Sequence, residues 1–506
     1  MSRAESIVLE SKAQDALKVL PRSGDAQVPV LMNFIGGKWW PCSNGETFDV
    51  INPANGQVIA KAQRSSREDT KHAIDLADEC RESPSWVLTP KTRALALSKL
   101  ADLLEAERET LATLITLETG KPLKQARGEM DGSIDTIRYN AGLARNVRGS
   151  SFSVSENSFS IVVREPMGVV GHIVPWNHPI LLLFRGLATA LAAGNICIVK
   201  PASYTPVTTA RIMELATKVP EISPGVLSYI TGPGPIVGAE IAASPKVDMV
   251  ALTGDTATGK EILRLSAQNV KKLSLELGGK SPDVIFSDAD QDKAVAAALT
   301  GAFAHSGQIC FSATRLLVQE QIHAKFVNML KQKAEAMRVG NGLDEKCDMG
   351  PVISRSQMEK ILQYIEVGKK EGEIVTGGAR LTAGDLEQGN FIAPTVIDNV
   401  PTKARIAQEE IFGPVVSVIP FNSEEEAVRI ANDSQYGLAA GVWTKDVNTA
   451  FRFARKVKSG TVWVNAFLKA GPEMEFGGYK RSGIGREKGL EGLHEYTQVK
   501  HIYFEM

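Results

Sequence analysis

The chain has 506 residues with 57 Lys+Arg against 58 Asp+Glu, a formal charge of −1, which speaks against nucleic acid or an anionic membrane as main partner. Hydrophobic residues make up 43% and charged residues 23%, so the composition is globular and not disordered, and at roughly 150 residues per domain the length suits a multidomain protein. Apolar stretches such as 179–184 are too short to span a bilayer, the opening MSRAESIVLE lacks a signal-peptide block, and five scattered cysteines without a CxxC pair supply neither structural zinc nor a disulfide framework. A cytoplasmic enzyme without a metal is the expectation.

Residues 1–30 are polar and broken at 21–25, the pattern of a loosely held extension. From Phe34 short strands and turns follow, FIGGKWW and then FDVINPANGQVIAKA with a turn at 52–56. Residues 91–119 predict one amphipathic helix closed by Gly120 and Pro122, and a second helix runs from about 124 to 145. Residues 149–166 alternate serine with apolar residues, which predicts an edge-like hairpin. From 168 a βα rhythm begins, with strands at 168–174, 196–200, 226–231, 247–252 and 272–277, the spacing of parallel βαβ units. A second α/β block spans about 279–473, and the tail from 484 ends in the alternating segment YTQVKHIYF. The hairpin and this tail either pair with another subunit's edges or form a solvated edge within one subunit.

The glycine loops point to phosphate without a standard fingerprint. Gly232-Pro233-Gly234 follows a strand, but Gly238 comes one place late for GxGxxG. Gly254 to Gly259-Lys260 matches GxxxxGK between a strand and a helix, yet Glu261 stands where a P-loop needs Ser or Thr. An NTPase loop is therefore disfavoured, leaving a phosphate-binding helix start or a plain tight turn. Among chemistry-bearing residues, Cys310 lies in HSGQICFSATR. It is either an inert buried thiol or, with Gly307 and polar neighbours, a turn whose N–H groups lower the thiol pKa. Glu276 ends a predicted buried strand against Gly278 and Gly279, and Asn177 sits just past a strand end, where open α/β sheets place ligands. A nucleophile, a carboxylate base and an amide donor form a covalent-catalysis set.

Pro175-Trp176-Asn177, Lys200-Pro201-Ala202, Thr253-Gly254, Glu276-Leu277-Gly278-Gly279-Lys280, Gly307-Gln308-Ile309-Cys310, Glu410-Ile411-Phe412-Gly413-Pro414 and Phe476-Gly477-Gly478-Tyr479-Lys480 occur in order, followed by Ser482-Gly483. In this the chain resembles the aldehyde dehydrogenase superfamily over about residues 32–505. The resemblance implies an α/β subunit with a Rossmann-like cofactor domain at 31–147 and 167–278. It also implies an α/β catalytic domain at 279–473 and a β-hairpin oligomerisation arm at 148–166 and 484–506, residues 1–30 being an extension. It implies NAD or NADP as cofactor, an aldehyde as small-molecule substrate, and a homodimer or homotetramer. Cys310 would attack the aldehyde, Asn177 and the Cys310 N–H would hold the oxyanion, and Glu276 would activate water against the thioester. Lys200 and Glu410 would hold the two riboses, and Trp176, Gly234, Gly254, Gly259 and Leu277 would line the cofactor cleft. Phe412 would pack at the nicotinamide end or serve as a core aromatic, and Asn465 would support the site from below.

Departures from the family pattern carry their own expectations. Ser203 replaces a frequent glutamate and removes a charge that would repel a 2′-phosphate. Asp255 replaces a frequent serine beside the expected pyrophosphate and is unwelcome there unless it caps the helix. Gly186 replaces a frequent Lys or Arg, and Glu475 a frequent proline. Arg185 stands where succinate-semialdehyde dehydrogenases carry an arginine for the substrate carboxylate, but their second arginine is Ala304 here. Arg185 is therefore either a substrate anchor or an ion-paired or surface arginine. CoA-acylating and non-catalytic relatives remain alternatives to the hydrolytic enzyme, with Glu276 favouring water as the acyl acceptor.

Overall fold

The computed structural model describes residues 3–20, 28–81, 86 and 89–506, so the expected break at 21–25 lies outside the described residues. The βα rhythm gives strands Val169–Ile173, Ile196–Lys200, Leu227–Tyr229, Met249–Thr253 and Lys272–Glu276, parallel neighbours within an eight-stranded sheet. Ile196–Lys200 and Leu227–Tyr229 are buried along their whole length, as continuous apolar runs covered by helices must be. Across the sheet these strands run in the order Lys272–Glu276, Met249–Thr253, Val169–Ile173, Ile196–Lys200, Leu227–Tyr229. The chain therefore winds outward from Val169–Ile173 in one direction and then returns to its other side. That reversal opens a crevice at the carboxyl ends of Val169–Ile173 and Met249–Thr253.

A second, seven-stranded sheet is built from Glu373–Thr376, Thr395–Asp398, Val415–Phe421, Arg315–Gln319, Pro282–Ile285, Ala439–Trp443 and Thr461–Val464, parallel except at its first strand. Two separate apolar clusters pack on its faces, one around Ile361 and Phe421, the other around Phe303 and Leu316. The expected hairpin forms as Ser150–Ser155 and Ser158–Pro166, and the tail strand Thr497–Glu505 pairs with it antiparallel within the same chain. The outer strand keeps Phe152 52% and Val154 55% exposed.

Three expectations change in detail. The helix predicted over 91–119 is two, Pro90–Ala106 and Arg108–Thr119, because Glu107 leaves helical geometry at φ −104°, ψ 14°. Gly120 closes the second one in the left-handed region at φ 78°, as a C-terminal glycine does. The extension is not loose throughout: Arg3–Lys18 is a helix packed on Arg108–Thr119, with Ala16 and Leu20 buried and Val19 O accepting from Arg211 Nη1 at 3.2 Å. The tail divides, since Gly483–Ile484 pairs with Lys272–Glu276 in the first sheet and Gly489–Glu495 packs on the helix Pro179–Ala193.

Candidate active site

Each parallel strand of the first sheet ends in a segment singled out above, so one crevice collects them. Past Ile173 come Trp176 and Asn177, Lys200 ends its own strand, Gly234 follows Tyr229, Gly254 follows Thr253, and Glu276 and Leu277 close the last strand. Lys200 is 4% exposed and donates from Nζ to Pro201 O at 2.9 Å, which leaves two N–H protons for a ligand. Burial lowers its pKa to about 8. A Cβ added at Gly234 would meet nothing within 4 Å, and at Gly254 only the Leu252 side chain from 3.6 Å, so both stretches of backbone are open to close approach. Gly259 has a different use, since a Cβ there would strike Leu277 Cδ2 at 2.6 Å. Helix Thr256–Ser266 thus seats directly on Leu277.

Asp255 caps that helix. Its Oδ1 accepts from Ala257 N at 2.8 Å and Thr258 N at 3.0 Å, and its Oδ2 from Thr258 Oγ1 at 2.7 Å. Burial would raise this carboxyl, but the bonds from Thr258 and Ala257 outweigh it and hold the pKa below the usual range. Ser203 is exposed, next to Tyr204, whose ring stands edge-on to Trp176 at 6.5 Å. Trp176 also meets Phe412 at 5.3 Å, and Phe412 sits in the left-handed region at φ 59°. Glu410 accepts from Gly279 N at 3.1 Å and lies so close to Gly278 that a side chain there would collide with it. Burial raises Glu410 to about 7 against the pull of Gly279 N–H and Lys280. Open backbone, spare amine protons and a carboxylate acceptor at the strand ends fit a dinucleotide.

Cys310 lies in a turn between helix Gln291–Phe303 and strand Arg315–Gln319. The approach is strained: His305, Ser306 and Gly307 take φ of 48°, 56° and 71° in succession. Ser306 Oγ bonds Gly350 O at 2.7 Å, and His305 N donates to Gln125 Oε1 at 2.9 Å. Asn177 Nδ2 donates to Gln308 O at 2.9 Å, which ties the amide to the cysteine's own loop and leaves its second N–H free. From behind, fully buried Lys121 donates to Asn177 O at 2.7 Å and pairs with Glu129, whose Oε1 accepts from Ile180 N and Leu181 N at 2.9 and 3.2 Å. The thiol is not activated as the sequence suggested. Burial pushes it up to about 12, Arg185 opposes this, and the carboxyls of Glu410 and Glu276 add to it. The Cys310 backbone N–H lowers the thiol as the motif suggested, but burial outweighs it.

Glu276 is 2% exposed, and neither carboxylate oxygen has a hydrogen-bond partner. Burial pushes it up to about 8, with Arg185 pulling down and Glu487 pushing up. Arg185 is 3% exposed and ion-paired to Glu487; its Nη2 donates to Thr253 Oγ1 at 3.1 Å and its Cζ lies 5.2 Å from the Phe476 ring. Of the two readings of Arg185, the ion-paired one describes the structure. Lys488 Nζ lies 5.9 Å from the same ring, and Phe476 meets Phe311, the residue after Cys310, at 5.5 Å. Asn465 does not face this cluster: its Oδ1 accepts from Thr444 N at 3.0 Å and its Nδ2 donates to Thr444 O at 2.9 Å, so its amide is spent on the end of the second sheet. Lys121, Glu129, Glu487 and Lys488 were not singled out in the sequence. Nothing local marks them, although Lys121 in Gly120-Lys121-Pro122 falls at a helix junction where a buried lysine needs a reason. A cavity of about 1240 Å³ lies elsewhere, beside the N-terminal helix and residues 52–59, and holds none of the candidate residues.

Comparison with known proteins agrees with this geometry. Residues 39–502 match the model of the aldehyde dehydrogenase family. The chain is 41% identical over 473 residues to a betaine aldehyde dehydrogenase of Bacillus subtilis, covering 93% of this chain and 96% of that one. It is 40% identical over 475 residues to an aldehyde dehydrogenase of Emericella nidulans, covering 94% and 95%. Among solved structures, betaine aldehyde dehydrogenase from Staphylococcus aureus in complex with NAD+ superposes with a TM-score of 0.95 at 42% identity, covering 98% of this chain and 97% of that one.

Proposed function

The chain belongs to the aldehyde dehydrogenase family, and from that premise we propose that it oxidises an aldehyde to the free carboxylic acid with NAD or NADP, through Cys310, Glu276 and Asn177. The carrying observation is that a cysteine in a strained turn, an unpartnered buried carboxyl and an amide bonded to the cysteine's loop converge at one crevice. Cys310 attacks the carbonyl carbon, and because its pKa is raised its proton passes to water as the C–S bond forms and the carbonyl π bond opens to the oxyanion. The free N–H of Asn177 and the Cys310 N–H receive the oxyanion. When bound, the nicotinamide supplies the hydride acceptor. Glu276, poised to about 8 and bonded to nothing, takes the proton of the water that cleaves the thioester. This favours water over CoA as acyl acceptor.

Lys200 and Glu410 are assigned to the two riboses and Trp176, Gly234, Gly254 and Phe412 to the cleft around them, while Gly259 and Leu277 shape its floor. Ser203, exposed at the adenosine end, leaves room for a 2′-phosphate, so NADP is accepted beside NAD. Residues 31–147 with 167–278 serve the cofactor and 279–473 the chemistry. The exposed edge of Ser150–Ser155 supports a homodimer or homotetramer, and the enzyme is assigned to the cytoplasm. Rapid mixing tests the mechanism. Glu276→Gln should give a burst of reduced cofactor of about one per site and then a slow steady rate. Wild-type deacylation should rise with pH through about 8 as Glu276 loses its proton. Wild-type turnover in Glu276→Gln, flat with pH, would make Glu276 structural.

A further inference from the structure

Around the reacting cysteine the ionic groups do not balance. Arg185 and Glu487 neutralise one another as a buried pair. Glu276 carries its proton over much of the neutral range because burial disfavours its charge. Lys488 is left over: burial lowers it to about 8, so the ammonium form still predominates at neutral pH. Its ammonium rests against the face of Phe476 at 5.9 Å and has no carboxylate within ion-pairing distance among the described residues. Its backbone sits in the left-handed region at φ 64°, a conformation that favours glycine over lysine. The charges that reach it are Arg185 from the Pro179–Ala193 helix, Glu487 from its own segment, Glu276 from strand Lys272–Glu276 and Cys310 from the nucleophile's turn. Phe476 bridges the two sides, with Lys488 and Arg185 over its ring and Phe311, next to Cys310, against it.

A half-buried cation without a counter-ion is costly unless a ligand supplies one. We propose that Lys488 is a specificity-determining residue that binds the carboxylate of an aldehyde bearing an anionic group at its far end, a short-chain oxo acid. The assignment rests on the aldehyde-oxidising reading above. Arg185 does not serve this role directly, because Glu487 occupies it; it adds positive potential beside Lys488. The same two cations disfavour a quaternary ammonium aldehyde, since they lie on the aromatic face that such a group would seek. The relatives named for betaine aldehyde therefore share this chain's fold and chemistry but not its substrate charge.

The test compares kcat/KM for 4-oxobutanoate, pentanal and betaine aldehyde in wild type, Lys488→Met, Lys488→Gly and Lys488→Arg. Glycine removes the ammonium while relieving the backbone, so a folding defect of the methionine variant does not decide the result. Wild type should favour 4-oxobutanoate. Both neutral variants should lower the ratio of 4-oxobutanoate to pentanal by about tenfold or more, through KM, as expected for loss of a charge-assisted contact. Lys488→Arg should keep most of the ratio. An unchanged ratio in the neutral variants, or a wild type that favours pentanal or betaine aldehyde, overturns the proposal while leaving aldehyde oxidation standing. A parallel fall in kcat for every aldehyde also overturns it, since Lys488 would then act on Cys310 or Glu276. A wild type that oxidises none of the three removes the underlying reading and this one with it.

Discussion

Glu118 and Glu276 are both buried, 0% and 2% exposed, and burial pushes both carboxyls up to about 8. Their surroundings differ completely. Glu118 accepts from Val207 N at 2.8 Å, Thr208 N at 3.1 Å and the Thr208 hydroxyl, filling the start of helix Val207–Ala216, which has no side-chain cap of its own. Glu276 accepts from nothing. The same residue type at the same depth is a structural cap in one region and a reactive group in the other, and the hydrogen-bond inventory separates them where burial and pKa do not. A carboxyl with three of its roughly four acceptor sites filled has little capacity left for a water; an orphaned one costs stability and keeps that capacity.

The contrast is broken most severely at the reacting centre. Cys310→Ala should abolish aldehyde oxidation, a loss of many orders of magnitude, while NAD binding measured by fluorescence or calorimetry stays intact, because the cofactor contacts lie on other strand ends. Since the thiol is raised, alkylation of wild-type Cys310 should quicken as pH rises. Buried Cys42, Cys197 and Cys347 should lag, and half-exposed Cys80 should be the competitor seen by mass mapping. Activity lost in step with Cys80 instead would remove Cys310 from the mechanism.

Stability tests the comparison itself. Glu118→Ala strips two backbone amides and a hydroxyl of their acceptor and should cost about 3 kcal/mol in a denaturant titration. Glu276→Gln should do the opposite and gain about 1–3 kcal/mol at pH 9, where the wild type must hold a buried, unpartnered carboxylate. The sign follows from the raised pKa: the native state binds the proton more tightly than the unfolded chain. The wild-type penalty is therefore absent below 4.5, the ordinary value of a free glutamate carboxyl, and fully developed above about 8. The gap between Glu276→Gln and wild type should close as pH falls toward 4.5. Equal destabilisation by both substitutions would mean that Glu276 has a hidden partner.

The smallest expected effect lies at the adenosine end. Ser203→Glu should shift the kcat/KM ratio from NADP toward NAD by roughly 1–3 kcal/mol, through repulsion of the 2′-phosphate and loss of a hydroxyl donor. An unchanged ratio would place the ribose away from the strand end at Lys200. Because Glu118 anchors the helix after this loop, Glu118→Ala sharpens the measurement. If it weakens both cofactors alike, position and charge contribute separately.

Much of this protein is written in short windows of sequence. Apolar runs of five or six residues at regular spacing predict Val169–Ile173 through Lys272–Glu276, because strand burial on both faces depends on local composition. Gly120 marks a helix end because only a left-handed residue fits there. Cys310, Glu276 and Asn177 were legible as a set because their flanking motifs recur in order. What the windows could not decide were the partners. Arg185 meets Glu487 from the opposite end of the chain, Asp255 turns onto its own helix, and Asn465 spends its amide on Thr444. The thiol rises where its local motif pointed downward, since desolvation comes from side chains distant in sequence. Propensity and pattern act over a few residues and so can be read along the chain. Charge pairing and desolvation act through space, and only the folded packing fixes which buried groups are answered, as Glu118 is, and which, like Glu276, are left open.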